Sequence, residues 1–378
     1  MIDRYGPIVI IAPDQVHTND DNAMKIIYNR KSLKTRFYEI MGSWKGVKST
    51  LGFVDYPSAT PTRNNLIQCS QNRNLEKLVE NMVSHIGEFQ DLISKSVKNK
   101  TNVDGVVVFR LLALDIVTDV LWGEQQTLSS QASDETPLFL QHFHAFSSWN
   151  ALKSFIPALD TFVKFLGSTR LKQLCSDCHD LDITARDALA RWVEHLESRR
   201  NKDVLSMLQS MNEAEDPRKR IPSDHTPAYI VEMLAAGSST SHTAAFVCYQ
   251  LAKQPATLQA LKSELRTTFP DYNAIDERKM LDLPLLDSVI RETMRIFPMI
   301  PGPLERHLGD WIEVNGLRVP PGVIVSTSVL DQGRLSDVYP DPGSWMPERW
   351  LNATDRMKLN WIPFGHGSRS CPTSWGPI

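Results

Sequence analysis

The sequence predicts a mainly α protein of the α+β kind, a helical body joined to a small β-sheet domain. Three observations predict it. Apolar residues recur three and four apart from about residue 75 to 216, a strand-like run opens the chain, and the pattern shifts to alternation after Pro298.

Taken in order, "PIVIIAP" is a short apolar strand between prolines, and "QVHT" follows it. In "DDNAMKIIYNR" an aspartate cap precedes a helix with Met24, Ile26 and Ile27 on its apolar side. "LVENMVSHIGEFQDLI", "VVVFRLLALDIVTDVLW" and "ARDALARWVEHLESRR" each carry the helical period. Helices continue through "PAYIVEMLAAGSSTSHTAAFVCYQLAKQ" to "PLLDSVIRETMRIF". "WIEVNGLRVPPGVIVSTSV" then alternates around Asn315-Gly316, a type I′ hairpin signal, and turns at Pro320-Pro321-Gly322 into another strand. The sheet therefore draws on both ends of the chain. No linker rich in glycine or serine interrupts it, so residues 1–378 read as a single domain.

With 42% hydrophobic and 22% charged residues the chain can bury a sizeable core. A formal net charge of -3 offers no field for a polyanion, which argues against nucleic acid as a partner. The basic clusters Arg199-Arg200-Asn201-Lys202 and Arg218-Lys219-Arg220 sit beside acidic residues and read as solvated faces. Val103 to Trp122, the most apolar stretch, carries Asp104, Arg110, Asp115 and Asp119; those charges suit a buried helix with polar edges, not a membrane span. Five scattered cysteines suit a reducing compartment, where a special cysteine is a ligand or nucleophile.

One cysteine stands out. In "PFGHGSRSC", Gly365 and Gly367 flank His366 and lead to Cys371. Glycines supply positive φ and let N–H groups approach an acceptor such as a metal-bound thiolate. Arg369 has the reach to meet an anionic ligand edge. Alone, Gly-x-Gly before a cysteine reads equally as a turn. Two further motifs accompany it. Glu292 and Arg295 in "RETMR" share a helix face, as a surface ion pair also would. "PERW" adds Arg349, a second arginine able to complete a buried triad with Glu292.

In sequence order, Glu-x-x-Arg, Pro-Glu-Arg-Trp and Phe-Gly-x-Gly-x-Arg-x-Cys resemble the cytochrome P450 family over nearly the whole chain. "RYGPIVIIAPDQV" is similar to the family's first strands, "LALDIVTDVLWG" to its buried Asp-rich helix, and "AAGSSTS" to the oxygen-activating segment of its central helix. The likeness is greatest to fungal members of secondary-metabolite biosynthesis.

The resemblance implies a haem-thiolate monooxygenase with heme b as cofactor, Cys371 as axial iron ligand, and Phe364, Gly365 and Gly367 in the ligand loop. It implies Arg306, Arg369 and, more remotely, Arg63 as partners of haem propionates. Glu292, Arg295 and Arg349 match the structural triad, and Thr240 with Ser239 the proton-handling positions; a threonine bonded to its own preceding turn is the alternative at 240. The implied partners are an apolar small organic substrate, O2 and an NADPH-cytochrome P450 reductase. Ala236 and Thr240, the loop from Met299 to Leu304 and the stretch from Phe37 to Phe53 are the implied pocket walls.

The sequence also departs from the family. Ser239 stands where an acid usually precedes the threonine, and a serine relays protons but holds no charge. Thr373 replaces a usual glycine, and "PTSWGPI" is too short for the helix expected after Cys371. Neither that helix nor an N-terminal membrane anchor is expected in this chain, as for an incomplete or mis-spliced gene. A full-length parent is expected on the cytoplasmic face of the endoplasmic reticulum membrane, and this chain in the cytoplasm or peripheral. A truncated, haem-free relative without activity is the rival reading. "CSDCH" (Cys175, Cys178, His179) fits the attachment motif of c-type haem but lies within a helical pattern, where an ordinary pair of helix cysteines is expected.

Overall fold

A computed structural model describes residues 5–44, 46–69, 79–123, 138–156, 158–194, 203–214, 223–271 and 275–372. The two basic clusters and residues 373–378, with Thr373, lie outside these. Along the chain run β1 (Ile8–Ala12), β2 (Gln15–Thr18), α1 (Asp21–Ile27), β3 (Leu33–Lys34), α2 (Arg36–Met41), β4 (Ser43–Trp44), β5 (Val47–Lys48), α3 (Tyr56–Cys69), α4 (Val79–Asn99), α5 (Gly105–Trp122) and α6 (Leu138–Phe155). Then come α7 (Leu159–Leu166), α8 (Thr169–Glu194), α9 (Val204–Ala214), α10 (Thr226–Lys253), α11 (Pro255–Thr268), α12 (Glu277–Leu281) and α13 (Pro284–Ile296). The last part holds β6 (Pro303–His307), β7 (Ile312–Val314), β8 (Leu317–Val319), β9 (Ile324–Ser328), α14 (Val329–Gln332) and α15 (Asp355–Asn360). The chain is thus mainly helical with small sheets.

Two compact units emerge, one from the chain's start to Ser32 together with His242–Cys371, the other from Leu33 to Ser241. In the first, β1 pairs antiparallel with β2, β2 pairs parallel with β9, and β9 pairs antiparallel with β6. The sheet does join the two ends of the sequence. At the β7–β8 hairpin both central residues have positive φ, Asn315 at 47° and Gly316 at 77°, the type I′ geometry. Asp20 caps α1 by accepting from the Ala23 N–H at 2.6 Å. Met24 and Ile27 are fully buried and pack with Val314, Val325 and Ile362, whereas Ile26 is 43% exposed. The helical period explains this correction: residues 24 and 27 share a face that residue 26 does not.

In the second unit α5 runs from an Asp104 cap to Gly123, whose φ of 67° ends it in the left-handed region. Asp115 and Asp119 are not on a polar edge but buried, and Asp119 accepts from or pairs with His85 Nε2 at 3.1 Å. Leu111, Leu114 and Trp122 join Phe146, Trp149, Leu181, Ile230 and Leu234 in one core. Gly237 on α10 meets α5 so closely that a Cβ there would collide with the side chain of Val117. No helix among the described residues is long and apolar enough to cross a membrane.

Candidate functional site

The cysteine loop is built by short backbone bonds. Gly365 N–H donates to the Ile362 carbonyl at 3.0 Å, Ser370 N–H to that of Gly367 at 3.1 Å, and Cys371 N–H to that of Phe364 at 2.7 Å. Closing so tight a path requires φ of +77° at Gly365 and +69° at Gly367, values that L side chains resist. The loop is fastened to α1: Ser368 N–H donates to the Tyr28 carbonyl at 3.1 Å, and a Cβ on residue 367 would collide with that same carbonyl. Cys371 is half-buried at the loop's end, and Arg369 is half-buried two residues before it. Burial, with the charge of Lys25 adding to it, holds the His366 imidazole below its usual range.

Tyr28 is the residue the sequence did not single out. It is 2% exposed; its hydroxyl donates to the Leu304 carbonyl at 2.7 Å and accepts the Thr327 N–H at 3.0 Å, so one ring bridges β6 and β9. Arg306 lies with its guanidinium 5.1 Å from the centre of that ring, is 5% exposed, and donates Nη1 to the Glu305 carbonyl at 2.7 Å. An aromatic amid "KIIYNR" gives only a helix-period signal, which is why it passed unnoticed.

The structure brings Glu292, Arg295 and Arg349 together. Glu292 is completely buried. Its Oε1 accepts from Arg295 Nη2 at 2.7 Å, Arg349 Nε at 3.1 Å and the Met346 N–H at 2.8 Å. Its Oε2 accepts from Arg295 Nε at 2.8 Å and Trp350 Nε1 at 2.9 Å. Arg295 also donates to the carbonyls of Gly333, Pro342 and Ser344. So this is no surface pair: one carboxylate gathers α13 and the coil around 342–350. Trp350 meets Trp361 at 5.8 Å, and Trp361 meets Phe364 edge-on at 6.1 Å, carrying the packing to the cysteine loop. Trp361 Nε1 donates to the Arg291 carbonyl at 3.1 Å, which returns the network to α13.

On α10 the two hydroxyls differ in their bonding. Ser239 Oγ donates to the Ala236 carbonyl at 2.5 Å, the back-bonding considered for Thr240. Thr240 itself is exposed and makes no side-chain hydrogen bond with a described residue. Arg63 sits half-buried on α3; it belongs to the second unit together with Thr240 and Ser239, whereas Arg306, Arg369 and Cys371 belong to the first. Of the helix cysteines on α8, Cys178 lies in the core, and burial pushes its thiol up to about 12; Cys175 is half-buried and also raised by burial.

A mainly helical chain with a buried Glu-Arg-Arg cluster and a cysteine on a positive-φ glycine loop defines a restricted class of proteins. The family model for cytochrome P450 matches residues 3–372, and the chain belongs to that family. The cytochrome P450 monooxygenase BOT1 of Botryotinia fuckeliana is 23% identical to it over 98% of this chain and 74% of its own length. The monooxygenase penB of Penicillium thymicola is 24% identical, with coverage of 96% and 84%. Benzoate 4-monooxygenase bphA of Aspergillus niger is 25% identical, with coverage of 97% and 76%. The chain is therefore a P450 monooxygenase, and membership implies a haem-thiolate iron, O2 and a redox partner.

Proposed function

We propose that this protein oxidises an apolar small molecule, a secondary-metabolite intermediate, by hydroxylation or epoxidation, with electrons from an NADPH-fed reductase. What carries the reading is Cys371, the end of a loop locked by two positive-φ glycines onto Tyr28. The donor chemistry fits the family's cofactor: a single sulfur for the metal, and guanidinium groups at 306 and 369 for anionic edges. When bound, heme b supplies the oxygen-activating redox chemistry.

The chain's own residues have distinct tasks. Cys371 holds the metal, and the N–H groups of its loop keep the sulfur in one position. Arg306 and Arg369 orient the anionic edges, with Arg63 a third candidate. Thr240, whose hydroxyl is uncommitted, relays a proton. Ser239 has its proton engaged with the Ala236 carbonyl and acts only if that bond opens. Glu292, Arg295 and Arg349 position the coil that leads into the loop. The uncharged run from Met299 to Leu304 favours an apolar substrate.

The test is a carbon monoxide difference spectrum of the reduced, haem-reconstituted protein beside its Cys371→Ala variant. A thiolate-type Soret shift lost in the variant supports the proposal, and substrate-dependent NADPH consumption with a reductase then tests the reaction. Equal pigment and product in both proteins would overturn it; no haem absorbance in either would leave the reading of a haem-free relative.

A further inference from the structure

We propose that His142, Asp177 and Asp180 form a divalent transition-metal site, best suited to zinc, that clamps α6 to α8. One donor atom from each residue lies within 4.8 Å of the other two. Metal bonds of about 2.0–2.1 Å set tetrahedral ligands roughly 3.4 Å apart, so the three donors have to draw closer together around an ion. The two aspartates are three residues apart and share one face of α8, so the helix itself presents both carboxylates to the imidazole on α6.

The surroundings favour an ion over a simple pair. His142 Nε2 and Asp180 Oδ2 stand 4.0 Å apart, too far for a hydrogen bond and near enough for one cation to join them. Asp177 Oδ1 accepts from Gln173 Nε2 at 2.6 Å one turn earlier; this bond holds the carboxylate still and leaves its other oxygen available. His142 is 12% exposed and Asp180 38%, so the site has a partly desolvated floor and an open entrance. Neighbouring Phe143, Cys178 and Leu181 are in the core, which fixes both helices beneath the ligands. An imidazole nitrogen beside two oxygens selects a borderline metal over magnesium or calcium, and zinc accepts three protein ligands plus water.

The experiment titrates Zn2+ into the metal-free full chain against a chromophoric chelator and follows the melting temperature. One equivalent is expected to bind and raise the melting temperature. His142→Ala should abolish this, and Asp180→Asn should weaken it at least about tenfold. Co2+ in place of zinc separates this site from the cysteines, because nitrogen and oxygen ligands give d–d bands without the near-ultraviolet charge transfer of a thiolate. Should His142→Ala fold poorly by circular dichroism, Asp180→Asn, at a half-exposed position, decides. No zinc binding, binding unchanged in Asp180→Asn, or a thiolate-type cobalt spectrum would overturn the proposal.

Discussion

The backbone carbonyl of Tyr28 occupies the space that a Cβ on residue 367 would need, so glycine alone fits this point of the cysteine loop. Gly367→Ala therefore combines a collision with a left-handed φ and is expected to cost about 1–3 kcal/mol. Gly322→Ala is the matched control: its φ is +86° but nothing lies within 4 Å of its Cβ position. Urea denaturation should show the larger loss at 367. Equal losses would mean that the Tyr28 contact contributes nothing.

Tyr28→Phe tests the same residue from its other end. Without the hydroxyl, the buried Thr327 N–H loses its side-chain acceptor and the partly buried Leu304 carbonyl a donor. A loss of about 1–3 kcal/mol is expected, with faster amide exchange at Thr327. The Ser368 bond to the Tyr28 carbonyl should survive, because it uses backbone only.

Glu292→Ala removes the single acceptor shared by Arg295, Arg349, Trp350 and the Met346 N–H. Stranding buried charge in this way is expected to cost roughly 3–5 kcal/mol. A double-mutant cycle with Arg295→Ala measures the coupling. Additive losses would show that the carbonyls around Arg295 suffice without the carboxylate.

In the second unit, Gly237→Ala should force α10 from α5 at Val117 and cost about 1–3 kcal/mol. Val117→Ala placed beside it should recover part of that loss. If thermal melts of the double variant fall below those of the single one, the two residues are not in the opposition inferred here.

Acid sensitivity has a defined origin at Asp331. The hydrogen bond from His17, opposed by burial and aided by Ser328, holds its carboxyl below the usual range. A depressed folded value means that the folded state binds fewer protons, so the stabilisation is full above the unfolded value near about 4. It is lost as pH falls through the folded value. Asp331→Asn should accordingly be less stable than the parent at neutral pH, and the gap should close in strong acid. A gap independent of pH in urea melts would contradict this.

Much of the architecture was legible because it is local. The hairpin at Asn315-Gly316, the Asp20 cap and the long helices depend on neighbouring residues and on period. Glu292 and Arg295 also share a helix turn, so their partnership could be read directly. Ile26 was misplaced because Met24, Ile26 and Ile27, though close in sequence, do not all share a helix face. Asp115 and Asp119 were placed on an edge because a charge normally seeks water, and the His85 partner that lets Asp119 stay inside lies on another helix.

By itself the sequence determined the helical body, the sheet made from both ends, and the order of motifs that marks a cytochrome P450. Tertiary structure alone decided that Tyr28 grips the cysteine loop from more than three hundred residues away, that Trp350 and Trp361 link the buried carboxylate to Phe364, and that Ser239, not Thr240, spends its hydroxyl on its own helix. The physical reason is range: propensity and periodicity act over a few residues, whereas a carbonyl blocking a Cβ or a ring filling a gap exists only once distant segments have met.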